Sequence, residues 1–338
     1  MILGLILLLQ SMVVAVSGPP GSPEYLPIRV ADAYGLFTRE GLNVTVRSTR
    51  AEPGAAEALA QGQADLAATS FEALLRFGHR MPAPRLVFAL TAAPPVTLLV
   101  AGARHEMSAV KSLAGGKVAV SAPGTPEQTW LQALLAREGV APNDVDIVAL
   151  GARGVVSALD AGEIAAAFVT EPAASSLVRD GRARVLLDLK SPRAVGNALG
   201  GPTVNAAVFA RRDRQPSDAT LTAFARALLG AQRLIASSEP DALKEPLSRS
   251  AVGIDAEFIQ RVEATRGIYL PGGVVPPEAL TRTIDAMKIH LPLPRALKLP
   301  RPADILHLEP ARRAARSASV EGQRSEPTRP DSPESRSR

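Results

Sequence analysis

Short apolar or alternating runs and longer stretches with helical spacing take turns along the chain from Met12 to Phe209. Met12-Val13-Val14-Ala15-Val16 reads as a first strand, and a Gly/Pro/Ser loop over 17–23 follows it. Leu26, Ile28, Val30 and Ala33 give 24–34 a helical stripe that ends at Gly35. Strands are then predicted over 44–46, 66–68 and 86–90, with an Ala-rich helix over 54–60 stopped by Gly62. A further helix is predicted over 71–77, and Ser70 is placed to cap it. After Thr91-Ala92-Ala93-Pro94-Pro95 the apolar run 96–100 reads as a crossover into a second lobe. That lobe has predicted strands at 117–120, 146–150, 164–169 and 185–189, with helices at 127–137, 155–161 and 173–178. The strand 204–209, after Gly200-Gly201-Pro202, reads as the return crossover. Beyond Ser217 the pattern is helical only (219–235, 257–264, 278–287), so these helices should pack on sheet already built.

One α/β unit is written twice. Arg39-Glu40-Gly41-Leu42, Ala58-Leu59-Ala60-Gln61-Gly62 and Thr69-Ser70 have counterparts in Arg137-Glu138-Gly139-Val140, Ala158-Leu159-Asp160-Ala161-Gly162 and Thr170-Glu171-Pro172. Alternating strands and helices argue for parallel sheets flanked by helices, in which ligands sit beyond the carboxyl ends of the strands. The segments at those ends are 17–23, Thr69-Ser70, Thr91, 121–125, Thr170-Glu171 and 203–205. They are rich in hydroxyls, Gly and Pro and poor in charge, and several start helices, whose free N–H groups favour an anionic or strongly polar ligand head.

At 338 residues, 46% hydrophobic and 21% charged, the chain has material for one large or two ordinary domains. The net charge of +5 comes from scattered Arg without a basic block, which argues against a nucleic-acid partner. Cysteine is absent, which removes thiol catalysis, Cys-ligated zinc and disulfides. Residues 1–11 are a signal-like apolar segment, too short to span a bilayer and without a preceding basic stretch. A signal extending to Ser17, cut before Gly18, is the other reading; it would leave the fold without its first strand. From 306 to 338 the chain turns Arg/Ser/Pro-rich with few large apolar residues and is expected to be disordered.

Catalytic and metal chemistry is sparse. The four histidines are scattered, and His105-Glu106 lacks the second His of a zincin helix. Gly115-Gly116-Lys117 is followed by Val118 where a phosphate loop needs Ser or Thr, and no Gly-x-Ser-x-Gly elbow occurs. No cofactor or metal is expected. Glu171 at a helix start reads as a cap or ligand contact in preference to a general base. Asp65 reads as structural, tying off backbone N–H groups, and Arg153 as a solvated residue in preference to an anion clamp.

Taken in order, several stretches resemble one family, the substrate-binding receptors of ABC importers for nitrate, sulfonates, taurine and thiamine precursors. They are Gly35-Leu36-Phe37-Thr38-Arg39-Glu40-Gly41-Leu42-Asn43-Val44, Ala58-Leu59-Ala60-Gln61-Gly62-Gln63-Ala64-Asp65-Leu66-Ala67 and Ser112-Leu113-Ala114-Gly115-Gly116-Lys117-Val118-Ala119-Val120 with Gly124-Thr125. Gly162-Glu163-Ile164-Ala165-Ala166-Ala167 with Thr170-Glu171-Pro172 completes the match, as does the start Ser17-Gly18-Pro19-Pro20 with Tyr25-Leu26-Pro27. The resemblance implies an α/β, two-lobed periplasmic-binding fold of type 2 that closes on ligand by a hinge. Lobe 1 would comprise 12–95 and 204–305, and lobe 2 96–203. It implies an extracytoplasmic, monomeric, non-catalytic receptor that delivers a small-molecule ligand to the permease's transmembrane subunits. Carried over by position, its pocket would draw on Ser17, Tyr25, Thr69, Ser70, Thr91, Gly124, Thr125, Glu171 and Asn205. The chain departs from the family in its missing basic start, its missing lipobox Cys and its charged tail. The rival reading is an enzyme on the same architecture, such as a menaquinone-pathway lyase or dehydratase. The related thiamine-pyrimidine synthase chemistry uses a Cys-rich motif that is missing here.

Overall fold

A computed structural model describes residues 10–49, 52–77, 84–123, 125–249, 255–290 and 299–324. In chain order these form β1 (Gln10–Val16), α1 (Leu26–Ala33), α2 (Leu36–Arg39), β2 (Leu42–Ser48), α3 (Glu52–Ala60), β3 (Leu66–Ser70), α4 (Phe71–Phe77) and β4 (Pro84–Ala89). There follow β5 (Val96–Ala101), β6 (Lys117–Val120), α5 (Pro126–Arg137), β7 (Asp146–Ala149), α6 (Gly151–Asp160), β8 (Ala166–Thr170), α7 (Ala173–Arg179), β9 (Ala183–Asp188) and α8 (Pro192–Leu199). After β10 (Ala206–Arg211) come α9 (Asp218–Ser237), α10 (Pro240–Arg249), α11 (Phe258–Thr265), α12 (Pro277–His290), α13 (Pro302–Ile305) and α14 (Glu309–Arg324).

The repeat in the sequence becomes a repeat of sheet plan. One sheet has the order β2-β1-β3-β10-β4 and the other β7-β6-β8-β5-β9. In each, three parallel strands lie beside one antiparallel strand that pairs on both of its edges, β10 in the first sheet and β5 in the second. The chain therefore passes between the sheets twice, through 91–95 and through 189–205. Gly62 (φ 71°) and Gly162 (φ 73°) end α3 and α6 in the left-handed conformation, and each is followed by a residue whose N–H reaches back to the helix, Gln63 to Ala58 O and Glu163 to Ala158 O. A side chain at either glycine would cost ~1–2 kcal/mol.

β1 sits between β2 and β3, with Val14, Ala15 and Val16 fully buried. A cut before Gly18 would remove this central strand. Asp65 extends the β1–β3 pairing beyond Leu66: its N–H donates to Val13 O (2.9 Å) and its Oδ2 accepts from Val13 N (2.8 Å). Ser70 caps α4 through Oγ and Ala73 N at 3.1 Å. α9 covers the first sheet, and its Phe224 stacks on Phe37 with ring centroids 5.2 Å apart. α12 buries Leu280, Ile284 and Met287 in the same apolar cluster as Trp130, Leu131 and Leu134 of α5, so the late helices tie to the second sheet as well as the first.

The pattern does not reveal α8, α10, α13 or α14. α8 and α10 form in segments for which the pattern predicted nothing; α10 carries Pro246 in its interior yet buries Leu243 and Leu247. The expectation of disorder from 306 onward is corrected over 306–324: Leu306 and His307 pair with Leu86 of β4, Leu308 is buried, and 309–324 is α14. Ala311 and Ala314 lie three residues apart and are buried in the same apolar cluster as Leu221, Phe224 and Leu228 of α9, so α14 closes on α9 with small side chains where the composition showed only Arg and Ser. Asp218 of α9 fixes its start, accepting from His307 Nε2 (2.8 Å) and Arg313 (3.1 Å). Residues 325–338 and the apolar stretch 1–9 lie outside the described residues. Among the described residues no helix is long and apolar enough to cross a membrane.

Candidate functional site

A cavity of about 870 Å³ is walled by elements of both sheets. From the first sheet's side come the loop after β1, Pro19 to Glu24, and the segment that enters and forms α11, with Asp255, Glu257, Arg261 and Thr265. From the second come Ser121 and Glu127 after β6, the start of α6 after β7, and Phe168 to Ala173 at the end of β8. Pro94 and Pro95 of the first crossing complete the wall. The cavity thus lies beyond the carboxyl ends of β1, β6, β7 and β8, as parallel-sheet topology requires, and its volume falls within the ~300–1,000 Å³ of small-molecule sites.

Hydrogen bonds hold the rim. The Tyr269 hydroxyl donates to Pro23 O at 2.8 Å, and burial together with the charge of Glu24 holds its phenol above the ordinary pKa, so it remains a neutral donor. Glu127 Oε2 accepts from both Oγ (2.6 Å) and N (3.2 Å) of Ser121. Arg261 forks onto Asp255 (3.0 and 3.3 Å), reaches Glu257 (3.4 Å), and donates from Nε to the main-chain oxygen of Glu171 at 3.4 Å. That last contact joins α11 to the loop after β8 across the cavity.

Glu171 is the most enclosed charge of the wall. Its side chain is 1% exposed; Oε1 pairs with the Lys190 ammonium and Oε2 accepts from Ser175 N at 3.1 Å. Burial pushes the carboxyl up, but the Lys190 and Ser175 hydrogen bonds and the Lys190 charge outweigh it, so its pKa lies below the ordinary glutamate value. Lys190 belongs to a smaller cavity of about 240 Å³ on the far side of Glu171, where Thr97 also lies.

Of the candidates named from sequence that are among the described residues, Glu171 alone lines the larger cavity. Ser17, Tyr25, Thr69, Ser70, Thr91 and Asn205 are buried and are not among its lining residues. Ser17 Oγ donates to Thr69 Oγ1 at 3.0 Å. Thr91 and Asn205 tie the two crossings together: Asn205 N donates to Thr91 O (2.8 Å), and Ala206 N to Thr91 Oγ1 (3.3 Å). Thr125 is half-buried, donating to Ala122 O at 2.9 Å, and Gly124 lies outside the described residues. Arg153, read as solvated, is exposed and stands in the cavity wall. Glu127, Asp255, Glu257 and Arg261 were not singled out; Glu127 lies two residues beyond a named loop, whereas the acids and Arg261 come from a purely helical stretch without any signal. Among the described residues no group of three or more His, Asp or Glu could hold a metal ion.

The family model described as NMT1/THI5 like matches residues 22–237. A taurine-binding periplasmic protein of Escherichia coli (strain K12) is 27% identical over 222 residues, 65% of this chain and 66% of its own length, just under two thirds of that relative. Among solved structures, a protein of Bordetella bronchiseptica RB50 is similar at TM-score 0.68 with 25% identity, covering 91% of this chain and 98% of that one. The periplasmic aliphatic sulphonate binding protein of Escherichia coli is similar at TM-score 0.68 with 18% identity, covering 85% and 95%.

Proposed function

The chain belongs to the NMT1/THI5-like family, and from that premise we propose that it is the solute-binding receptor of an ABC importer. It works outside the cytoplasm, as a monomer, and passes its ligand unchanged to the permease. The observation that carries the reading is the cavity of about 870 Å³ walled by both sheets, which are joined by two crossings hydrogen-bonded to each other at Thr91 and Asn205. Rotation there moves one sheet against the other, and a ligand touching both walls stabilises the closed arrangement by as much as it prefers it. The ligand is a small organic or inorganic anion or polar heterocycle of the sulfonate, nitrate, taurine or thiamine-precursor class, and the similarity to taurine- and sulphonate-binding proteins supports the sulfonate and taurine end of that range.

The enzyme reading gains nothing from the site. Glu171, the carboxylate that could serve as a base, is ion-paired and held at low pKa, opposite to the raised value a base near neutrality needs. The test is a thermal-shift screen of the full chain against alkylsulfonates, taurine, nitrate, bicarbonate, hydroxymethylpyrimidine compounds and aromatic carboxylates. Ligand at about 100 times its Kd adds roughly 2.7 kcal/mol of stability. A hit recovered chemically intact after incubation supports a receptor; a hit consumed on incubation overturns it.

A further inference from the structure

The cavity wall carries carboxylates and guanidiniums, and most of them already have a charged partner. Asp255 and Glu257 share Arg261, and Glu171 has Lys190. Two groups stand apart, both on the second sheet's side. Arg153 makes no hydrogen bond or ion pair among the described residues, although it is exposed to the cavity. Glu127 has no cation within ion-pair distance among the described residues; its contacts, both to Oε2, come from Ser121, which leaves Oε1 open. The two do not pair with each other, although β6 and β7, the strands that precede them, are parallel neighbours.

On the receptor reading above, we propose that Glu127 and Arg153 form a split receptor for a zwitterion, with Glu127 taking an ammonium and Arg153 an oxyanion of the same small molecule. A compound with both charges satisfies two groups that the fold brings into one wall without neutralising them, whereas a simple anion leaves Glu127 facing a like charge. Ser121 supports this assignment: by donating twice to Oε2 it fixes the Glu127 side chain and leaves Oε1 available. Sulfonate and carboxylate heads share the required chemistry, and the number of head-group oxygens Arg153 engages decides between them.

The experiment is calorimetric titration of the full-length protein and of its Glu127→Gln and Arg153→Gln variants with taurine, β-alanine, ethanesulfonate and ethylamine. Unchanged far-UV circular dichroism and unliganded Tm serve as the folding control for the variants. Wild-type protein is expected to bind an amino-bearing anion roughly ten- to a hundredfold more tightly than ethanesulfonate, the span of one charge-assisted hydrogen bond. E127Q should erase that preference while leaving ethanesulfonate affinity unchanged or higher, and R153Q should weaken both anions alike. Taurine against β-alanine assigns the head group. Equal affinity for taurine and ethanesulfonate, or an E127Q variant that keeps the preference, overturns the proposal and leaves the receptor reading intact. Failure of all four, and of nitrate and the wider screen, overturns both.

Discussion

Replacing Lys190 by Met removes the partner of the most enclosed charge in the cavity wall. The Glu171 side chain is 1% exposed and that of Lys190 16%, so the pair is largely shielded from water. In the variant, Glu171 keeps the Ser175 N–H at 3.1 Å and loses its counter-charge. Breaking a buried pair by removing one member costs about 3–5 kcal/mol; the partly open Lys190 side places this one near 3. The pH dependence gives the argument its sign. In the wild type the Glu171 pKa lies below the ordinary glutamate value, so its contribution to stability is complete above that ordinary value and is lost as pH falls through the depressed one. Without Lys190 the burial effect is opposed only by the Ser175 hydrogen bonds, the pKa rises, and the penalty is largest at pH 7 and shrinks toward pH 4. Urea denaturation of K190M at both pH values measures this, and the double variant E171Q/K190M should recover most of the loss at pH 7. A K190M penalty under about 1 kcal/mol at pH 7, or one that does not change with pH, would refute this account of the pair.

Three further substitutions probe other parts of the structure. Gly273 has φ 66°, and a Cβ there would overlap the ring of buried Phe88; G273A is expected to cost about 3 kcal/mol in a urea titration, from left-handed strain and overpacking together. A chain stopped after Leu308 uncovers the face of α9 on which Ala311 and Ala314 are buried and removes the Arg313–Asp218 pair; a loss of about 2 kcal/mol and increased dye binding are expected, against no change if α14 is dispensable. R261Q removes the Arg261 link to Glu171 O across the cavity; it should weaken ligand binding by roughly two- to tenfold and increase the radius of gyration of the unliganded protein by small-angle scattering.

Sequence pattern revealed the architecture because its punctuation is local. Gly62 and Gly162 stop equivalent helices, Ser70 caps α4, and Asp65 ties off the start of β3, each through contacts within a few residues or one neighbouring strand. Two crossings were legible as apolar runs flanked by Pro and Gly, and the antiparallel insertion of β5 and β10 follows from them. The cavity wall was harder to read. Hydroxyls at the very ends of strands, such as Ser17 and Thr69, are still within the sheet and are buried; the lining begins a few residues later, at Pro19 and at Glu127. Arg261 and Asp255 reach the wall only because α11 folds back onto the loop after β1, a tertiary relation that no spacing in the chain encodes. α14 was missed because alanine buries well against a helix but barely registers in composition.

The central claim is that ligand draws the two sheets together, and the cysteine-free chain suits a direct test. Spin labels on cysteines introduced at Thr45 of β2 and Asp146 of β7, both exposed and one on each sheet, report the separation by electron double resonance. Saturation with a ligand from the screen should move the distance distribution to shorter values and narrow it. Identical distributions with and without bound ligand would contradict closure between the sheets.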